Sequence, residues 1–346
     1  MKTKKRKPKY LIIILIIIAT LMVIACAIGL YAYTYVKSSY NGEARWVYIP
    51  ENCNKEAFRD SLNNKFGEEI ADKIHTIYNY LDGDLAKSHG AYRITGGKTV
   101  LEIARIFANN YQTPIRSRFN SARTMDDVAQ QISKPFAWDE EDFIIACDSI
   151  LPISGFKAEE YPAAFFPDTY EFYWSDSPED VINRLLEYRD KFWTPERIDQ
   201  AEQIGLTPIE VSTLASIVEE ETNKRDERPQ VARLYLNRLD INMPLQADPT
   251  IKFALGDFAR QRILEADLNV NSPYNTYKNI GLPPGPIRIV EKATLEAVLN
   301  APEHKYLYMC AKEDFSGYHN FATNYNDHLR NARRYQAALN RLNIKR

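Results

Sequence analysis

The chain has 346 residues, with 44 Lys and Arg against 46 Asp and Glu, a net charge of −2, and four cysteines. It is long enough for two domains with real cores, and its charge balance argues against binding a polyanion such as nucleic acid through bulk electrostatics. Cys26, Cys53, Cys147 and Cys310 are too few and too scattered for a disulfide scaffold or a CxxC zinc site.

Residues 1–10 form a basic tail holding Lys2, Lys4, Lys5, Arg6, Lys7 and Lys9, and residues 11–36 read as a membrane anchor. Leu11 to Leu30 is an almost unbroken apolar run, and about 20 such residues suffice to cross a hydrocarbon core of roughly 30 Å. The basic flank predicts a single pass with the N-terminus in the cytoplasm and everything from about Lys37 onward outside. A cleaved signal peptide is the competing reading, and Val23-Ile24-Ala25-Cys26 resembles a lipobox that would make Cys26 a lipidated N-terminus. Against both, the apolar character continues past Cys26 to Leu30. Without the six basic residues of the tail, 38 basic residues face 46 acidic ones outside, a net charge of −8.

Residues 45–134 alternate short strands with helices. Trp46–Ile49 and Gly90–Ile94 read as strands, and Lys55–Phe66 and Glu69–Leu81 as helices. Thr99 is placed to N-cap a helix running to Ala108. A second strand and helix follow over Pro114–Phe119 and Thr124–Ile132. The pattern GAYRITGGKTVLEIARIF resembles the small β-α-α-β LysM-type modules that bind cell-wall glycan, with a plain α+β spacer as the alternative. Residues 135–160 link this module to a second domain, 161–346.

In the second domain, Glu179–Phe192 is an amphipathic helix. The next helix is capped by Thr207 with Pro208 in its first turn. Its apolar stripe runs through Val211, Leu214, Ala215 and Val218, and at 100° per residue Glu221 falls about 60° from Val218. Of the three consecutive glutamates, Glu220 should point away and Glu219 sit at the stripe's margin, which leaves Glu221 alone within it. A carboxyl group held in low dielectric gains a raised pKa and can serve as a general acid near neutral pH. Helices are expected again over Arg228–Leu239, Thr294–Leu299 and Asp327–Leu342, giving an α+β chain throughout.

Leu245 to Thr250 alternates in the period of a strand and would place Gln246, Asp248 and Thr250 on one face. Tyr274, Asn275 and Tyr277 precede the loop Gly281 to Ile287, which three prolines stiffen. Tyrosine faces suit the C–H side of sugars, and amides suit hydroxyls. His319 and Asn320 follow a strand-like stretch over Tyr306–Cys310. His328 lies nine residues past His319, a spacing that lacks the helical i,i+4 pairing and third ligand of a zinc site. No metal or cofactor is expected.

Taken in order, FPDTY (166–170), LASIVEEET, Asn237-Arg238-Leu239, LQADPT, YNTY, GLPPGPI and HNF resemble the MltG (YceG-like) family of endolytic murein transglycosylases across essentially the whole chain. The second glutamate of the family's I-[IV]-E-x-E-T motif lands on Glu221, the residue that the helix geometry selects. The resemblance implies a lyase cutting the β-1,4 bond between N-acetylmuramic acid and N-acetylglucosamine in nascent glycan strands, leaving a 1,6-anhydro end. Glu221 would be its acid. Glu219, Asn237, Gln246, Asp248, Thr250, Tyr274, Asn275, Tyr277, His319 and Asn320 would contact substrate, with Glu219 also raising the pKa of Glu221 by repulsion. The resemblance further implies work beside a penicillin-binding protein synthase. A hydrolytic muramidase would need a second carboxylate, for which Asp248 is the candidate. A wall-binding scaffold without catalysis is the third reading.

Overall fold

A computed structural model describes residues 9–120, 122–260 and 262–342. The basic residues from Lys2 to Lys7 lie outside the described residues. Helix α1, Lys9–Lys37, carries the apolar run without a break at Cys26. It is long and apolar enough to cross a membrane, and none of its apolar window is buried within the chain. The one hydroxyl between Leu11 and Leu30, on Thr20, donates to the carbonyl of Ile16 at 2.8 Å.

The chain divides into two compact units, residues 1–115 with 171–175, and residues 116–170 with 176–346. The division comes earlier than the sequence suggests, since residues 116–134 and the linking region 135–160 fall in the second unit. Both units combine helices with small two-stranded sheets, the α+β class read from the sequence.

In the first unit, β1 (Arg45–Ile49) is followed by α2 (Lys55–Phe66), α3 (Glu68–Tyr80), β2 (Gly90–Ile94) and α4 (Val100–Ala108). Strands β1 and β2 pair antiparallel with Val47 opposite Tyr92. Thr99 and Glu102 form a reciprocal capping box at the start of α4, satisfying two backbone N–H groups that the helix cannot reach. Val47, Ile49, Phe58, Leu62, Ile74, Tyr92, Ile103 and Phe107 close the core, joined at its edge by Tyr35 and Val36 from the end of α1.

The second unit takes all but the first residue of β3 (Ile115–Phe119), then α5 (Met125–Ile132), α6 (Glu140–Ile150), a short 3₁₀ turn at Ala158–Ala164, β4 (Asp168–Phe172) up to Tyr170, α7 (Pro178–Phe192) and α8 (Pro195–Gln203). It continues with α9 (Pro208–Glu221), α10 (Arg228–Asp240), α11 (Asp248–Leu255) and α12 (Lys292–Leu299). The hairpin of β5 (Tyr308–Ala311) and β6 (His319–Ala322) and the helix α13 (Tyr325–Arg341) complete it. β3 pairs with β4, and β5 pairs antiparallel with β6, setting Cys310 opposite Asn320.

Helix α9 is the centre of this unit, packed by α8, α10, α11 and α12. Every residue from Val211 to Glu219 is buried, so α9 has no single apolar stripe. This corrects the expectation that Glu221 alone would lie in low dielectric. Four surrounding helices leave no solvent face, and the polar residues are satisfied locally. Ser212 and Thr213 donate to the carbonyls of Pro208 and Ile209, while Ser216 donates to Thr213 and accepts the N–H of Ile287.

The stretch expected as a strand over residues 245–250 is also corrected. Ala247 is extended, but Gln246 before it has a positive φ and α11 begins at Asp248, because Pro249 fits the first helical turn where its missing N–H costs nothing. In the proline-rich loop, a Cβ at Gly285 would collide with the carbonyl of Glu159, so that close backbone approach requires glycine.

Candidate active site

The last turn of α9 releases three glutamates into three surroundings. Glu219, only 4% exposed, faces Arg228 at 3.6 Å and Arg288 at 3.3 Å, and accepts from Thr294 Oγ1 at 2.5 Å and from the N–H of Glu291. Glu220 pairs with Arg288 at 2.6 Å and with Arg123 at 2.9 Å. Glu221, the final residue of the helix, instead borders a cavity of about 240 Å3.

That cavity is built from five further segments. Helix α10 contributes Leu234, Tyr235 and Arg238, which share a face at spacings of three and four residues. The chain entering α11 contributes Gln246 and Asp248, and Tyr277 comes from the loop beyond it. Met309, Cys310 and Ala311 of β5 and His319 of β6 form the remaining wall. Gln246 has φ +50, a conformation that non-glycine residues rarely adopt and that is held where surroundings over-determine it. Its N–H donates to the carbonyl of Thr276 at 3.1 Å.

The electrostatics centre on Glu221. Burial pushes its carboxyl up to about 7. The Tyr235 hydroxyl, donating to Oε1 at 2.9 Å, works against that rise. The negative charge of Asp248 adds to it, while His319 and Arg238 oppose it. Arg238 is 8% exposed and joins two walls, donating from Nε to the carbonyl of Leu307 at 2.7 Å and from Nη1 to that of Leu245 at 2.6 Å. Asp248 accepts from the Tyr277 hydroxyl at 2.5 Å.

The residues singled out from the sequence therefore separate into two groups. Glu221, Gln246, Asp248, Tyr277 and His319 meet at the cavity. Thr250 is buried, bonding the carbonyl of Ala247 and Thr276 Oγ1, because the turn into α11 takes it off the face it would share in a strand. Asn275 is buried and donates to the carbonyls of Leu268 and Val270. Asn237 donates to the carbonyls of His304 and Tyr306, tying α10 to the approach to β5. Tyr274 packs on Phe253 at 4.6 Å, its hydroxyl pushed up to about 12 by burial, and Asn320 donates to Glu313. Glu219 stands apart as well, and the charge that raises the pKa of Glu221 is that of Asp248.

Tyr235 is not singled out by the sequence, and Arg238 enters there only within the Asn237-Arg238-Leu239 motif, with no site role. Their i,i+3 spacing on one helix face was the available signal. Among the described residues, no group of three His, Cys, Asp or Glu side chains could hold a metal ion, and the four cysteines are free.

Residues 47–334 match the YceG-like family. A Bacillus subtilis (strain 168) protein named endolytic murein transglycosylase is 37% identical over 150 residues, covering 43% of this chain and 41% of its own length. A Streptococcus pneumoniae protein of the same name is 35% identical over 170 residues, covering 48% of this chain and 30% of its own length. The chain thus aligns with less than half of either relative. The crystal structure of a YceG-like protein from Listeria monocytogenes shares the fold, with a TM-score of 0.54 at 24% identity over 83% of this chain and 98% of the other.

Proposed function

The chain belongs to the YceG-like family, and from that membership we propose that it is an endolytic murein transglycosylase, a lyase that cuts within peptidoglycan glycan strands. The observation that carries this reading is a single carboxyl group, Glu221, raised to about 7 in a polar-walled cavity. Near neutral pH such a group populates both protonation states, as a residue must that first gives a proton and then takes one.

Protonated Glu221 donates to the glycosidic oxygen as the bond to the anomeric carbon of N-acetylmuramic acid breaks. The resulting carboxylate accepts the proton of the sugar's own 6-hydroxyl, whose oxygen bonds to that carbon and closes the 1,6-anhydro ring. Glu221 ends protonated, no water is consumed, and the nucleophile comes from the substrate. Asp248, Gln246, Tyr277 and His319 would position the sugars, and Arg238 would hold the walls and offset the carboxylate's charge.

The α1 helix supports an anchored enzyme, and the basic residues before it support a cytoplasmic N-terminus with both units outside. At that position it would meet strands as they leave a penicillin-binding protein synthase, where a cut inside the strand ends elongation. Asp248 on the same cavity keeps one alternative in view, a muramidase in which it activates water.

The test is mass spectrometry of products from uncrosslinked glycan strands incubated with the full chain in detergent micelles, beside Glu221→Gln. Anhydro-muramic ends with the wild type, reduced about 10²–10⁴-fold in the variant, are the expected result. Reducing ends heavier by one water would assign hydrolysis. Absence of any cleavage by folded protein would favour a wall-binding scaffold.

A further inference from the structure

We propose that Glu227 is a positioning residue for this cavity. It fixes His319 in the tautomer with its hydrogen on Nδ1, so that Nε2 is presented as an acceptor to a substrate hydroxyl or amide N–H. The inference rests on the reading of the Glu221 cavity as the reacting centre.

Glu227 lies one residue before α10 and is 5% exposed. Its two oxygens are fully engaged. Oε1 accepts the backbone N–H of His319 at 2.7 Å, and Oε2 meets His319 Nδ1 at 2.9 Å and accepts from Thr222 Oγ1 at 2.9 Å. Burial raises the carboxyl's pKa, but the hydrogen bonds from His319 and Thr222 outweigh it and hold the group below the ordinary carboxylate range. An ionised carboxylate only accepts, so the hydrogen between the two groups belongs to Nδ1.

Gripping His319 by both its backbone N–H and its ring leaves the imidazole little freedom to turn, and Phe321 sits edge-on to it at 6.4 Å. His319 lines the cavity, and among the described residues only its Nδ1 is hydrogen-bonded within the ring. Nε2 is therefore the nitrogen left for a ligand. Thr222 directly follows Glu221, so the same carboxylate also ties the end of α9 to β6 and sets the spacing between the proposed acid and the imidazole. A carboxylate that orients an imidazole in this way is a recurrent means of fixing which nitrogen does the work.

The experiment uses the full chain in detergent micelles with ¹⁵N-labelled histidine, five residues in all, with His319 assigned by the resonances missing from His319→Asn. At a pH where the ring is neutral, the wild type should show the Nδ1–H tautomer. In Glu227→Gln, whose amide donates as readily as it accepts, the Nε2–H form should gain a comparable share. In His319→Asn the amide nitrogen replaces Nδ1 and keeps the bond to Glu227. Its Tm should therefore stay near that of the wild type while kcat falls about tenfold or more, the loss of one hydrogen bond to substrate. An Nε2–H tautomer in the wild type, an unaltered spectrum in Glu227→Gln, or undiminished kcat in His319→Asn would each overturn the proposal. If the wild type cuts no glycan, the proposed activity fails, and the tautomer still decides what Glu227 does to His319.

Discussion

The hydroxyl of Tyr235 and Oε1 of Glu221 are joined by a 2.9 Å hydrogen bond in which the phenol is the donor. Burial pushes the ionisation of Tyr235 far above its ordinary value, with the charge of Glu221 adding to it, so it remains a donor across the working range. The bond favours the carboxylate form of Glu221 against the burial that raises it. Tyr235→Phe should therefore lift the pKa of Glu221 above about 7, by roughly one unit for a hydrogen bond to a charged group. If protonated Glu221 is the acid, the alkaline limb of kcat/KM moves up by that amount. A limb that stays in place would mean that Tyr235 does not tune the acid.

Asp248 has the opposite effect on the same group, since its negative charge raises the pKa of Glu221. Asp248→Asn should move the alkaline limb down, by about half a unit given its exposure to screening solvent. The products should keep their anhydro ends. Complete loss of cleavage by a folded Asp248→Asn protein would transfer the second carboxylate's role from tuning to chemistry.

The raised pKa of Glu221 is also a stability statement. Below about pH 4.5, the ordinary value, the group is protonated in both folded and unfolded chains and contributes no difference. Between there and about 7 the unfolded chain releases its proton first, so stability falls as pH rises, and the cost is complete above the folded pKa. Glu221→Gln removes that cost. It should raise stability by on the order of 2–3 kcal/mol at pH 8 and by little at pH 4, as urea unfolding at the two pH values would show. Equal effects at both would mean that the carboxyl is not held out of water.

Local hydrogen bonds are what made much of the fold legible. Thr99, Thr124 and Thr207 each cap a helix through a residue three positions on, a pattern contained in four letters of sequence. Gln246 and Asp248 line the cavity while Leu245 and Ala247 are buried, the separation that the alternation expects, although no strand forms there. The alternation failed at Thr250, because the helix that starts at Asp248 changes the period from two to 3.6. The site roles of Tyr235 and Arg238 were not legible for another reason. Their roles depend on partners at Glu221, Leu245 and Leu307, and the i,i+3 spacing that puts them on one face of α10 does not by itself say that this face is cavity wall. Glu219 misled for the same reason, since the arginines that claim it lie at positions 228 and 288.

Those arginines make Glu219 the sharpest contrast with Glu221. Arg228 and Arg288 have side chains only 8% and 12% exposed, and Glu219 stands within ion-pair distance of both. Removing one member of a buried charge group leaves the others unpaired in low dielectric, a loss of about 3–5 kcal/mol. Glu219→Ala should fall near the lower end, about 3 kcal/mol, because Arg288 retains Glu220 and Arg228 retains Glu291. Denaturant unfolding should show this loss, while the fraction that remains folded cuts glycan with a near-normal KM. Intact stability with a raised KM would instead put Glu219 in contact with substrate, a result that the buried pairing with Arg228 and Arg288 argues against.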